Sequence, residues 1–87
     1  MKVSIDISYY PLKVEYLPPI QDFIDRLNDY QEIDVDTNGM STQVFGEYRR
    51  VMEILTDEIE KSFEIPHSIF VLKVVNAELK DYNRYDK

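Results

Sequence analysis

No cysteine occurs in the chain. That excludes disulfides, thiolate metal sites and cysteine nucleophiles. It also fits a reducing compartment, since secreted domains of this size often depend on disulfide staples. No apolar run approaches the roughly twenty residues of a membrane span. The opening MKVSIDISYY alternates apolar with polar residues and lacks the continuous apolar stretch of a signal peptide, so it is expected to be a strand. Basic residues are few: ten Lys and Arg stand against seventeen Asp and Glu, a net charge of −7. Binding a nucleic-acid backbone needs clustered cations that displace counterions, and these ten are scattered. Neither nucleic acid nor membrane is an expected partner, and a cytoplasmic location is expected. Glycine is scarce too. Gly39 and Gly46, the only two, are too far apart to form a phosphate-cradling loop. His67 is the single histidine, and no nucleophile or carboxylate partner for it can be named from the sequence. It reads as a loop residue ahead of the last strand. No cofactor, metal or catalytic group is expected, and the chain is not read as an enzyme.

What is present suits one small domain. Eighty-seven residues, 44% of them hydrophobic, provide a core but bury only about 60% of the unfolded surface, so association of copies is expected. In KVSIDISYY, Val3, Ile5, Ile7 and Tyr9 face one way, while Ser4, Asp6, Ser8 and Tyr10 face the other. PLKVEYLPP follows as a loop. Pro18 and Pro19 suit the first turn of a helix. Ile20, Phe23, Ile24 and Leu27 mark its apolar face, with Asp22, Asp25, Arg26 and Asn28 toward solvent, and it ends near Tyr30. EIDVDT is a short strand. Asn38-Gly39 signals a hairpin, because both residues tolerate positive φ. MSTQVFG returns as its partner. Gly46 and Glu47 are expected to open a second helix whose buried stripe is Val51, Met52, Leu55, Ile59 and Phe63, and Pro66 stops it. Its acidic pairs, Asp57/Glu58 and Glu58/Glu60, read as a solvated face beside Arg50 and Lys61. SIFVLKVV is the last strand, and polar residues close the chain.

The order strand, helix, strand, strand, helix, strand, with right-handed crossovers, predicts an α+β fold. It is a ferredoxin-like βαββαβ sandwich: a four-stranded antiparallel sheet, first and third strands central, with two helices on one face. Residues 1–79 form the single domain and residues 80–87 a polar C-terminal tail. The helix-free face is where a function would sit. The last strand is apolar on both parities, so its second face is expected to be covered, most simply by another copy of the chain. The first strand presents Ser4, Asp6, Ser8 and Tyr10 there, polar groups that need partners. Parity in Ser41–Phe45 has two solutions. If Val44 faces the helices, Ser41, Gln43 and Phe45 face the open side; if Phe45 is in the core, the assignment reverses. Burying Gln43 without a partner would cost roughly 1–3 kcal/mol, which favours the first. Tyr9, Tyr10 and Tyr16 around the first loop, with Tyr48 at the second helix, form a loose aromatic set able to stack on a flat ring or a cation.

Three segments carry a resemblance: SIDISYYPL, NGMSTQVFGEYRRVM and SIFVLKV. Together they resemble the YkoF-like thiamine- and hydroxymethylpyrimidine-binding domains, over nearly the whole chain from Lys2 to about Val75. The most specific pieces are Tyr10–Leu12 and the MST-x-x-x-G-E pattern from Met40 to Glu47. The resemblance implies a ferredoxin-like domain of the single-domain kind, binding thiamine or its hydroxymethylpyrimidine part and assembling as a homodimer or homotetramer through sheet faces or edges. An aminopyrimidine offers an amino donor beside ring acceptors, and thiamine adds a cationic ring. The matched segments and strand parity select Asp6, Ser8, Tyr10, Asn38, Met40, Ser41, Thr42, Gln43 and Glu47 as candidate ligand-binding residues. The alternative is a structural or regulatory homo-oligomer of the same fold that binds no thiamine.

Overall fold

The computed structural model describes residues 1–81. Six elements follow in chain order: β1 (Lys2–Pro11), α1 (Leu17–Asn28), β2 (Asp34–Thr37), β3 (Thr42–Glu47), α2 (Tyr48–Ser62) and β4 (Ser68–Val75). The strands form one antiparallel sheet in the order β2-β3-β1-β4, so the first and third strands are central as the sequence predicts. Among the described residues no helix is long and apolar enough to cross a membrane.

Register decides which side chains share a face, because directly opposed residues point the same way. Val35, Val44, Ile5 and Val74 form one row across the four strands, on the same face as Ile7, Leu72, Tyr9 and Phe70. All but Val74, which is exposed near the sheet edge, join Phe23 and Leu27 of α1 and Val51, Ile54 and Leu55 of α2 in the core. Tyr9 stacks on Phe70 at 4.2 Å between ring centres and meets Phe23 edge-on at 5.7 Å. Val44 therefore faces the helices, and Gln43 and Phe45 face the open side.

Two details of the second crossover differ from the sequence expectation. Gly46 and Glu47 end β3 instead of opening α2, which starts at Tyr48. The glycine serves close approach: a Cβ at Gly46 would lie 3.0 Å from a methyl of Val51 and 3.3 Å from one of Ile33. The buried stripe of α2 is also rotated. It runs through Val51, Ile54, Leu55, Glu58 and Ser62, while Met52 and Ile59 flank it and Phe63 lies past the helix end, exposed.

Glu58 is thus no part of a solvated face; it is 1% exposed. Arg26, expected toward solvent, turns inward to meet it. Its Nε donates to Glu58 Oε1 at 2.7 Å, and its terminal nitrogen donates to the Glu58 carbonyl and to Ser62 Oγ. Tyr30 Oη donates to Glu58 Oε2 at 2.6 Å, and Lys61 reaches the same oxygen at 3.3 Å. Burial pushes the Glu58 carboxyl up, but the bonds from Tyr30, Arg26 and Lys61 outweigh it and hold it below its ordinary value.

The same contact pushes the Tyr30 phenol up to about 12, chiefly because the hydroxyl donates to Glu58, with burial adding to it. A raised folded value favours the neutral phenol. Its contribution to stability is complete below about 10 and is lost as pH rises toward about 12. Absorbance titration of the phenolate band should show one of the seven tyrosines ionising late, a component absent from Tyr30→Phe. Seven tyrosines ionising together near the ordinary value of about 10 would contradict the contact.

Candidate functional site

The open face of the sheet is read row by row. One row runs Asp36, Gln43, Asp6 and Lys73 across the four strands. The next runs Asp34, Phe45, Ser4 and Val75. Beyond β4 the chain returns across this face. Ser4 Oγ donates to the Ala77 carbonyl at 2.7 Å and accepts from the Leu79 N–H at 2.9 Å, and Lys80 reaches Asp34 at 3.3 Å. The returning segment and the two rows enclose a groove of about 320 Å³, floored by Ser4, Asp6, Gln43 and Phe45 and walled by Leu79 and Lys80. Residues 82–87 of the expected polar tail lie outside the described residues.

Two side chains of the groove floor, Asp6 and Gln43, form a closed polar cluster with Ser41 beside the groove. Ser41 Oγ donates to Asp6 Oδ1 at 2.6 Å, Gln43 Nε2 donates to the same oxygen at 3.0 Å, and Gln43 Nε2 also donates to Ser41 Oγ at 2.8 Å. The Ser41 and Gln43 donors, in that order, hold the Asp6 carboxyl below its ordinary value, and nearby Lys73 helps. Asp6 is therefore a fixed carboxylate at neutral pH. Its second oxygen, Oδ2, takes part in none of these bonds.

The nine residues singled out from the sequence separate on this geometry. Asp6, Ser41 and Gln43 come together, and Ser8 lies on the same face of β1, opposite Val71. Asn38 is engaged locally: its side-chain oxygen accepts from the Met40 and Ser41 N–H groups and shapes the hairpin turn. Met40 projects from that turn, almost fully exposed. Thr42 points to the helix side, where its hydroxyl meets that of Thr37 at 3.1 Å. Tyr10 is 53% exposed at the far end of β1, opposite Ile69. Glu47 lies four residues along β3 from Gln43, about 13 Å at strand rise, and binds the Met1 ammonium at 2.9 Å. That ammonium lowers the Glu47 carboxyl. The tyrosines do not gather either: Tyr9 is in the core, and Tyr48 begins α2 at the other end of the sheet from Tyr10 and Tyr16. His67 is exposed, and its carbonyl accepts the Leu12 N–H.

Sequence reasoning missed Asp36, Lys73, Leu79 and Lys80 as groove residues. Parity alone places Asp36 and Lys73 on the open face once register is known. Nothing in the sequence signals the return of Leu79 and Lys80. Two other hollows are less suited to a ligand. One, of about 400 Å³ between α1 and the end of α2, contains Arg26, which Glu58 and Ser62 already occupy. The other, of about 440 Å³ along α2 and Leu72, is nearly all apolar.

Ser4→Ala tests the returning segment. It leaves the Ala77 carbonyl and the Leu79 N–H without their partner, at a cost of about 1 kcal/mol. Hydrogen exchange at Leu79 should quicken about fivefold, with little change at Ile5 or Ile7. Unchanged exchange at Leu79 would show that the segment is held by other contacts.

No protein-family model matches the chain, and no curated protein matches it. Solved structures do. A protein from Streptococcus pneumoniae superimposes with a TM-score of 0.82 at 24% identity, covering 94% of this chain and 93% of its own. One from Thermotoga maritima, described provisionally as a thiamine biosynthesis/salvage protein, gives 0.80 at 15% identity over 88% and 85%. A hypothetical protein from Methanocaldococcus jannascii gives 0.77 at 19% identity over 95% and 88%. These likenesses establish the ferredoxin-like fold.

Proposed function

We propose that the chain is a non-catalytic binding protein for thiamine or its hydroxymethylpyrimidine part, with the ligand held on the open face of the sheet. The Asp6–Ser41–Gln43 cluster carries this reading. It puts a fixed carboxylate and an amide, both held by the Ser41 hydroxyl, at the floor of a groove whose volume, about 320 Å³, lies within the range of small-molecule sites. Asp6 offers an acceptor to the amino group of an aminopyrimidine or a counter-charge to the thiazolium. Gln43 presents a carbonyl oxygen, and Phe45 and Leu79 provide apolar surface for a flat ring. The thiamine-related description of the Thermotoga maritima protein, which shares the fold, supports the same choice. The protein's role would be capture or supply of the compound in the cytoplasm.

A structural or regulatory homo-oligomer is the second reading. Its support is β4, where Ile69 and Val71 stand exposed on the open face beside the groove and Val75, also exposed, lines it. An apolar edge of this kind suits another copy of the chain, as a homodimer or homotetramer, and association is compatible with binding. Calorimetric titration with thiamine, and separately with hydroxymethylpyrimidine, tests the first reading. Saturable binding near one ligand per chain supports it; no heat with either compound leaves only the second.

A further inference from the structure

The groove carries both signs of charge, on different walls. Asp36 and Asp6 flank Gln43 on the β2–β3–β1 side. Lys73 stands on β4, and Lys80 overhangs from the returning segment. Lys73 lies directly across from Asp6 in the register. Opposed unlike charges commonly pair across strands. Here they do not: Asp6 Oδ1 is taken by Ser41 and Gln43, and among the described residues Lys73 enters no ion pair. Lys80 does pair, with Asp34 at 3.3 Å, but both side chains are well exposed and such a pair is weak. Phe45, Val75 and Leu79 supply the apolar lining beside these charges. A ligand that is only a cation would use one wall and leave an ammonium beside it unused.

We propose that the groove is built for a ligand charged at both ends: a phosphomonoester of the compound proposed above. The aminopyrimidine or cationic ring lies on Asp6 and Gln43, and the phosphate lies between Lys73 and Lys80. This inference rests on the binding reading and extends it to the phosphorylated class. A phosphate carries about −1.5 to −2 charges at neutral pH, and lysine serves it as a compact point charge. Lys80 would exchange its weak contact with Asp34 for a stronger one.

The test is calorimetric titration at low salt with four compounds: thiamine, thiamine monophosphate, hydroxymethylpyrimidine and its phosphate. Inorganic phosphate is the control. Each ester should bind about tenfold more tightly than its parent alcohol, the size of one charge-assisted hydrogen bond. Raising the salt should shrink that ratio, and Lys73→Gln should bring it close to one. A larger ratio for one ester identifies which phosphorylated compound fits. Parents that bind as well as their esters overturn the inference and leave the binding reading standing. So does a ratio that Lys73→Gln leaves unchanged, or inorganic phosphate binding as tightly as the esters. Failure of all four compounds to bind overturns both.

Discussion

Arg26→Met is expected to destabilise the folded chain by about 3–5 kcal/mol, the cost of leaving a buried charge without its partner. Glu58 is 1% exposed, and Arg26 gives it both a side-chain and a main-chain hydrogen bond. Removing the guanidinium leaves Oε1 without its donor, and only Tyr30 and the exposed Lys61, both on Oε2, to hold the carboxylate. Small domains have about 5–15 kcal/mol of stability in total, and each kcal/mol shifts the melting temperature by roughly 4–8 °C at this size. Tm should therefore fall by at least about 12 °C. Replacing both partners, Arg26→Met with Glu58→Leu, should recover most of the loss, because neither charge then needs desolvation. The lowered Glu58 carboxyl also fixes a pH dependence. Its contribution is full above the ordinary glutamate value and is lost as pH falls through the lower folded value. That acid sensitivity should be smaller in the double variant. Urea unfolding measures both effects, and a single-variant loss below about 1 kcal/mol would contradict the burial of Glu58.

Asp6→Asn should weaken thiamine binding about tenfold or more while leaving the fold in place, because asparagine keeps an oxygen for Ser41 and Gln43 and removes only the charge. The pH dependence follows from the direction of the Asp6 shift. The carboxyl is held below its ordinary 3.8 by its two donors. The carboxylate is thus fully formed above that value and is lost as pH falls through the lower folded value. The part of the affinity that Asp6 contributes should stay level from pH 7 to about 5. Titrations of the wild-type chain and the variant at pH 7 and 5 check this. Equal affinity of the two proteins would remove Asp6 from the site.

The fold is legible because its signals are local. Alternation in KVSIDISYY, the Asn38-Gly39 turn (formed through the Asn38 side chain and not through the expected positive φ) and the spacing of Phe23 and Leu27 each report on a few neighbouring residues, and the order of elements then leaves few topologies. The open-face polar cluster was half legible for the same reason: parity puts Asp6 and Gln43 on one side of their strands. The rest depends on distant partners. Hydropathy drew the α2 stripe through Met52, Ile59 and Phe63 and away from Glu58, whose burial is set by Arg26, 32 residues earlier. Thr42 and Glu47 share the matched segment with Gln43, yet register turns the first to the helices and carries the second to the far end of the sheet. Leu79 and Lys80 look like the start of a polar tail until Ser4, 75 residues before Leu79, draws the chain back.

Amide chemical-shift mapping of the labelled protein during addition of thiamine tests the central claim most directly, because it reports where a ligand sits as well as whether it binds. Saturable shifts concentrated at Ser4, Asp6, Gln43, Phe45, Lys73 and Leu79 are predicted, with Met52, Ile59 and Glu64 unmoved. No shifts at saturating thiamine, or shifts centred on α2 away from the open face, would contradict the account.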